Sequence, residues 1–136
     1  MNIRVPTSLE VRACVWVLRV AWWARVFSFD DLIERLEEVR PGAAGRRVDT
    51  MASAVKVVAA VRRVQRRLPL RWTCLTESLA ALGLLRSLGC PALLRIGVMA
   101  AEAPVEAHAW LELYGEPLDR TASDYKALRL PGRAAV

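Results

Sequence analysis

"RWTCLTESLAALGLLRSLGCPALLRIGV", Arg71–Val98, changes its period halfway along. The first part is an apolar helix pattern that Thr73 can cap and that Gly89 and Pro91 close. The second part begins the run "ALLRIGVM", which has the length and apolar character of a strand. That switch divides the chain. The N-terminal side of it reads as helical, and the C-terminal side as strand and turn. The predicted class is therefore α+β: a helical region over residues 1–68 and a sheet-bearing core over 69–136, in one domain overall.

Toward the N-terminus, Ser8 can cap a helix from about Leu9 to Phe27, with Glu10 in its first turn. Ser28 can cap a second, "FDDLIERLEEV", with Asp31 three residues on. "RPGAAGRR" breaks the pattern. A third helix spans about Thr50 to Leu68, with Val55, Val58, Val61 and Val64 expected on one face. Arg62, Arg63, Arg66 and Arg67 crowd its last turns, where cations complement the helix dipole, and Pro69 ends it. Toward the C-terminus, "VEAHAWLELYG" alternates. Ala107, Ala109, Leu111 and Leu113 fall on one side, and Glu106, His108, Trp110 and Glu112 on the other. Gly115 marks a turn and "EPLDR" is the return strand.

Composition bounds the function. The chain has 136 residues, enough for a real core, and its hydrophobic fraction of 54% exceeds that of ordinary soluble domains. Part of the excess is expected to cover a partner surface. Twenty Lys+Arg against 14 Asp+Glu give a net charge of +6, mostly from arginine. That balance suits an acidic peptide or protein partner, and no nucleic-acid-binding signature accompanies it. The segment "MNIRVPTSLEVRACVWVLRVAWWARVF" is interrupted by Arg19 and Arg25, short of the ~18 uncharged apolar residues that a membrane span needs. It is expected to be a mostly buried helix, with a membrane-surface helix as the alternative. Trp16, Trp22 and Trp23 are expected to pack a core or a partner face.

Three cysteines, Cys14, Cys74 and Cys90, lie at wide spacings with no CxxC pair, and His108 is the single histidine. No metal site and no cofactor are expected from such a set, and the odd count points to a reducing cytoplasm. Cys14 sits mid-helix and Cys90 at a helix exit, which makes both structural. Cys74 differs because it stands at a capped helix start, where a thiol is more acidic and backbone N–H groups can face a developing oxyanion. A hairpin with Tyr114 and Gly115 as its two turn residues would pair Leu113 with Glu116, Leu111 with Leu118 and Trp110 with Asp119. Asp119 would then lie diagonal to His108 on one face, ~7–8 Å away. A thiol, an imidazole and a carboxylate are thus available. Cys74 would attack as thiolate, His108 would take its proton and return it to a leaving amine, and Asp119 would orient the ring. Taken singly, each has a plainer reading: a buried cysteine, a structural histidine, a turn aspartate.

Together these residues resemble a family. "RWTCLTESLAALGLLRSLGCPALLRIGV" followed by "EAHAWLELYGEPLD" is similar to the lasso-peptide biosynthesis B2 proteins, bacterial leader peptidases with a transglutaminase-like, papain-related core. The resemblance covers residues 68 to 119 in motif detail, through an R-x-x-C-L-T-x-S/A opening and an E/A-H-A-W-L/V-E-x-x-G-x-x-L/V-D closing. It implies Cys74 as nucleophile, His108 as base and Asp119 as orienting acid. It implies a cysteine peptidase that removes the leader from a ribosomally made (RiPP) lasso-peptide precursor before macrocyclisation. The implied partners are the precursor peptide, a separate leader-binding RiPP recognition protein, and the lasso macrocyclase. No glutamine is assigned to the oxyanion, since Gln65 lies on the basic helix. Acyl transfer by the same triad, and a silent scaffold that binds leader or macrocyclase, are the alternatives.

Overall fold

The structure, a computed structural model, describes residues 8–42, 47–69, 71, 73–98, 107–118 and 126–127. Four helices come first: α1 (Ser8–Val26), α2 (Phe29–Glu37), α3 (Met51–Arg67) and α4 (Cys74–Ser87). Four strands come after them: β1 (Leu93–Val98), β2 (Ala107–Leu113), β3 (Glu116–Pro117) and β4 (Lys126–Ala127). The strands form one antiparallel sheet in the order β3-β2-β1-β4. The class is α+β.

Side-chain caps set the helix starts. Ser28 Oγ accepts from the Asp31 amide, and Thr50 Oγ1 from the Ser53 amide. The Ser8 cap is not realised, because Ser8 is itself the first residue of α1. On α3 the buried valines are Val57, Val58, Val61 and Val64, whereas Val55 is 46% exposed. At about 100° per residue, Val55 lies 120° round the helix from Val61, too far to share its face.

α4 is the central element, packed against α1, α3 and β2. The Trp16 ring of α1 lies on Gly83 of α4, so closely that a Cβ there would stand 2.4 Å from the ring. Glu10, buried in α1, pairs with Arg63 of α3 at 3.4 Å. Arg86 of α4 donates to the Glu37 carbonyl at the end of α2. β2 turns Ala109, Leu111 and Leu113 inward, all buried. α1 departs from the expectation of a mostly buried helix. Ala13, Trp16, Val17 and Val20 are buried, but its opposite side leaves Trp22 66% exposed.

Candidate active site

The start of α4 is built by a reciprocal cap. Thr73 Oγ1 accepts from the Thr76 amide at 3.2 Å, and Thr76 Oγ1 accepts from the Thr73 amide at 3.0 Å. Cys74 is therefore the first helical residue, partly exposed, with its thiol free. Helix geometry gives the amides of Cys74 and Leu75 no acceptor within the helix, and the cap uses neither. Ser78 and Ala81 lie one and two turns beyond Cys74, so the three share a face.

That face meets β2. The Ser78 hydroxyl donates to the Ala109 carbonyl at 3.2 Å, in a buried bond that ties the helix to the residue after His108. His108 stands opposite Gly97 of β1, which brings no side chain against the ring. Its imidazole stacks on Trp110, with ring centroids 6.0 Å apart and planes 18° from parallel. The Trp110 indole N–H donates to Glu112 Oε1 at 3.3 Å, and Arg95 Nε to Glu112 Oε2 at 2.9 Å. Trp110 is buried although it lies on the face expected to be polar, because this row of contacts covers it.

One narrow cleft gathers the chemistry. α4 contributes Cys74, Glu77, Ser78 and Ala81, β2 contributes His108 to Leu111, and α3 contributes Val58 and Arg62. Leu118 closes the hairpin side. The enclosed space is about 30 Å³, room for one or two waters and not for a bulky ligand. Arg62 and Glu77 form an ion pair across its rim. Cys74 and His108 are thus brought to one cleft. Asp119 lies outside the described residues. The hairpin leading to it has the expected register: Leu113 pairs with Glu116, and the Leu118 amide donates to the Leu111 carbonyl at 2.8 Å. Tyr114 and Gly115 both have positive φ, the turn chemistry a two-residue hairpin requires.

The other cysteines do not line the cleft. Cys90 is buried, and burial pushes its thiol above the ordinary range, with Asp49 adding to the effect and a backbone hydrogen bond at Ala92 opposing it. Sequence reasoning passed over three cleft residues. Ser78 was legible from its one-turn spacing to Cys74. The Arg62–Glu77 pair was not, since Arg62 read as one of the cations that complement the dipole of α3. Gln65, set aside in the sequence as an oxyanion group, does not line the cleft. Arg62 with Glu77 ties α3 to the first turn of α4, and Gln65 is buried on α3, its side-chain amide nitrogen without a partner among the described residues. Among the described residues no cluster of three His, Cys, Asp or Glu side chains could hold a metal ion, and no helix is long and apolar enough to cross a membrane.

A partly exposed cysteine opening a capped helix shares one cleft with a histidine on an antiparallel strand, in an α+β fold. The family model for the transglutaminase-like superfamily matches residues 14–130, and the chain belongs to that superfamily. The superfamily includes cysteine peptidases and acyltransferases. No curated protein and no solved structure gives a match.

Proposed function

We propose that the protein is a cysteine peptidase that removes the leader from a lasso-peptide precursor before macrocyclisation. The observation that most supports this reading is Cys74 at the capped first turn of α4, in the same cleft as His108. His108 takes the thiol proton, and the thiolate adds to the scissile carbonyl. The amides of Cys74 and Leu75 are the oxyanion donors in this reading. The C–N bond breaks as His108 protonates the leaving amine, giving a thioester. Water, deprotonated by His108, then hydrolyses the thioester and restores the thiol. Asp119 is the proposed orienting acid; the hairpin register observed up to Leu118 is the one that assignment needs. The cleft itself has room only for one or two waters, so the scissile peptide lies across its mouth in this reading, and the precursor is delivered by a separate leader-binding protein in the cytoplasm.

The test is cleavage of precursor by the purified chain with its leader-binding protein, read by mass spectrometry. Two fragments whose masses sum to the precursor plus one water mean hydrolysis, and a fragment joined to an added amine means acyl transfer. Cys74→Ala abolishes turnover while Cys14→Ala and Cys90→Ala retain it. Full turnover by Cys74→Ala refutes the assignment.

A further inference from the structure

The helix that sequence reasoning expected to be mostly buried carries an unpartnered apolar stripe. Val11, Val15, Leu18, Trp22 and Val26 of α1 are 51%, 48%, 48%, 66% and 55% exposed. Their spacing of four, three, four and four residues keeps all five within an arc of about 80° on the side away from the core. The stripe runs about 22 Å, the rise of fifteen residues. Apolar residues at this spacing form the kind of seam that a second helix covers.

A groove of about 450 Å³ flanks the stripe and shares Val11 and Val15 with it. Its floor is Trp16 and Trp23, and Val39 lies on its far wall. The charged residues that line it are Arg12, Arg19 and Arg40, with no carboxylate among them. Arg19 is held over the Trp16 ring at 4.7 Å and the Trp23 ring at 5.9 Å, which fixes its charge beside the apolar surface. Glu34 and Glu37 of α2, and Glu38 just after it, are exposed but do not line the groove.

We propose that the stripe and the arginine-lined groove form a docking site for an acidic amphipathic helix of a partner protein. Charge complementarity selects this occupant. A second copy of the chain would set Arg12 and Arg19 against their own kind, and like charges in juxtaposition oppose association. A membrane surface would meet the exposed stripe but would leave the concave groove unfilled. An acidic helix places its apolar residues along Val11, Val15, Leu18 and Trp22 and its carboxylates over Arg12, Arg19 and Arg40. The proposal stands apart from the peptidase reading, since none of these residues lines the Cys74 cleft.

The probe is a designed eighteen-residue helix with leucines along one face and glutamates on its flanks, titrated against the full chain by calorimetry. A lysine-flanked twin and vesicles containing phosphatidylglycerol are the comparison arms. The glutamate helix binds, the lysine twin binds at least about ten-fold more weakly, and added salt weakens the complex. Val15→Glu and the double variant Arg12→Glu/Arg40→Glu each lower affinity about ten-fold or more. Both keep the wild-type melting temperature, because the altered side chains are exposed, and both keep the wild-type rate of Cys74 alkylation. No binding of the glutamate helix, equal binding of the lysine twin, vesicle binding in place of peptide binding, or self-association that Val15→Glu abolishes would each overturn the proposal.

Discussion

Ser78→Ala removes the one buried side-chain hydrogen bond seen between α4 and β2 among the described residues. The Ser78 hydroxyl is 3.2 Å from the Ala109 carbonyl, and Ser78 itself is 8% exposed, so water does not readily replace it. Losing a buried hydrogen bond while leaving its acceptor behind costs about 1–3 kcal/mol. For a domain of this size that is a fall in melting temperature of roughly 3–10 °C. The activity effect goes further than stability. Cys74 is one turn before Ser78 and His108 one residue before Ala109, so this bond holds thiol and imidazole in register. Small displacements of reacting groups cost up to ~100-fold in rate. The variant should therefore lose precursor cleavage even at temperatures where it is fully folded. Thermal melting and cleavage assayed well below the transition are the measurements. Ser53→Ala, at an exposed side-chain bond on α3, is the control and should change neither. A Ser78→Ala protein that melts and turns over like the parent would show that the helix and strand are held by apolar packing alone.

Other expectations come from the same geometry. Arg62→Gln strips the cation from Glu77 and leaves a bare carboxylate in the cleft with Cys74. An ion pair this exposed is worth ~0.2–1 kcal/mol, so Arg62→Gln should lower the melting temperature by a few degrees at most; adding Glu77→Gln should cost little more, and strictly additive losses would sink the idea. Tyr114→Asn should raise the melting temperature slightly, because φ is +53° at Tyr114, asparagine tolerates that region better, and the ring is largely exposed. Cys90 holds its proton more tightly in the folded state than in the unfolded chain, so stability is full below the ordinary thiol range and is lost as pH rises through it. Denaturant melts of the parent at increasing alkaline pH should show that loss, and Cys90→Ala should make the fall shallower.

How much of this was legible in the sequence depends on how local each signal is. The caps at Ser28 and Thr73 are contacts across three residues, and the sequence pattern finds both; Thr50 was read only as the start of its helix, and Ser8 was read as a cap that the structure does not use. The hairpin was equally plain, because a Tyr-Gly pair at positive φ fixes the register over the next few residues. Cys74 was singled out by its place at a cap, and His108 as the sole imidazole. What stayed hidden depends on distant partners. Arg62 was one of four arginines read as cations at a helix end, until α3 packed beside α4 and gave it Glu77, fifteen residues on. Trp110 alternated to the polar side, yet Glu112 two residues on accepts from its indole and Arg95, opposite it on β1, pairs with that carboxylate. The apolar surface of α1 suggested burial on all sides. No element of the described structure covers its outer stripe, and a one-dimensional pattern cannot say whether the covering surface belongs to the same chain.

Gly83 shows why α4 reads as apolar all round and what that demands of it. Nine residues after Cys74, at about 100° each, Gly83 faces the opposite side of the helix from Cys74, Ser78 and Ala81. The helix is thus clamped between the Trp16 ring and β2. An added methyl at Gly83 would stand 2.4 Å from Trp16 Cε3 and 2.5 Å from Cζ3. The ring is poorly placed to yield, being buried, packed edge-on to Trp23 and covered by Arg19. Alanine in a helix interior is favoured over glycine by ~1 kcal/mol, while overpacking costs about 1–3 kcal/mol and occasionally more. With an overlap this deep the second effect wins. Gly83→Ala should destabilise by ~1–2 kcal/mol and press α4 toward β2, narrowing the cleft and slowing cleavage. Trp16→Leu makes room at the cost of a cavity that the new methyl partly fills, so the double variant should be more stable than the sum of the two singles by ~1 kcal/mol or more. Denaturant unfolding of the four proteins closes the cycle. Strict additivity, or a Gly83→Ala protein stabilised by the propensity term alone, would mean that the ring moves aside freely and that Trp16 does not hold α4 against the sheet.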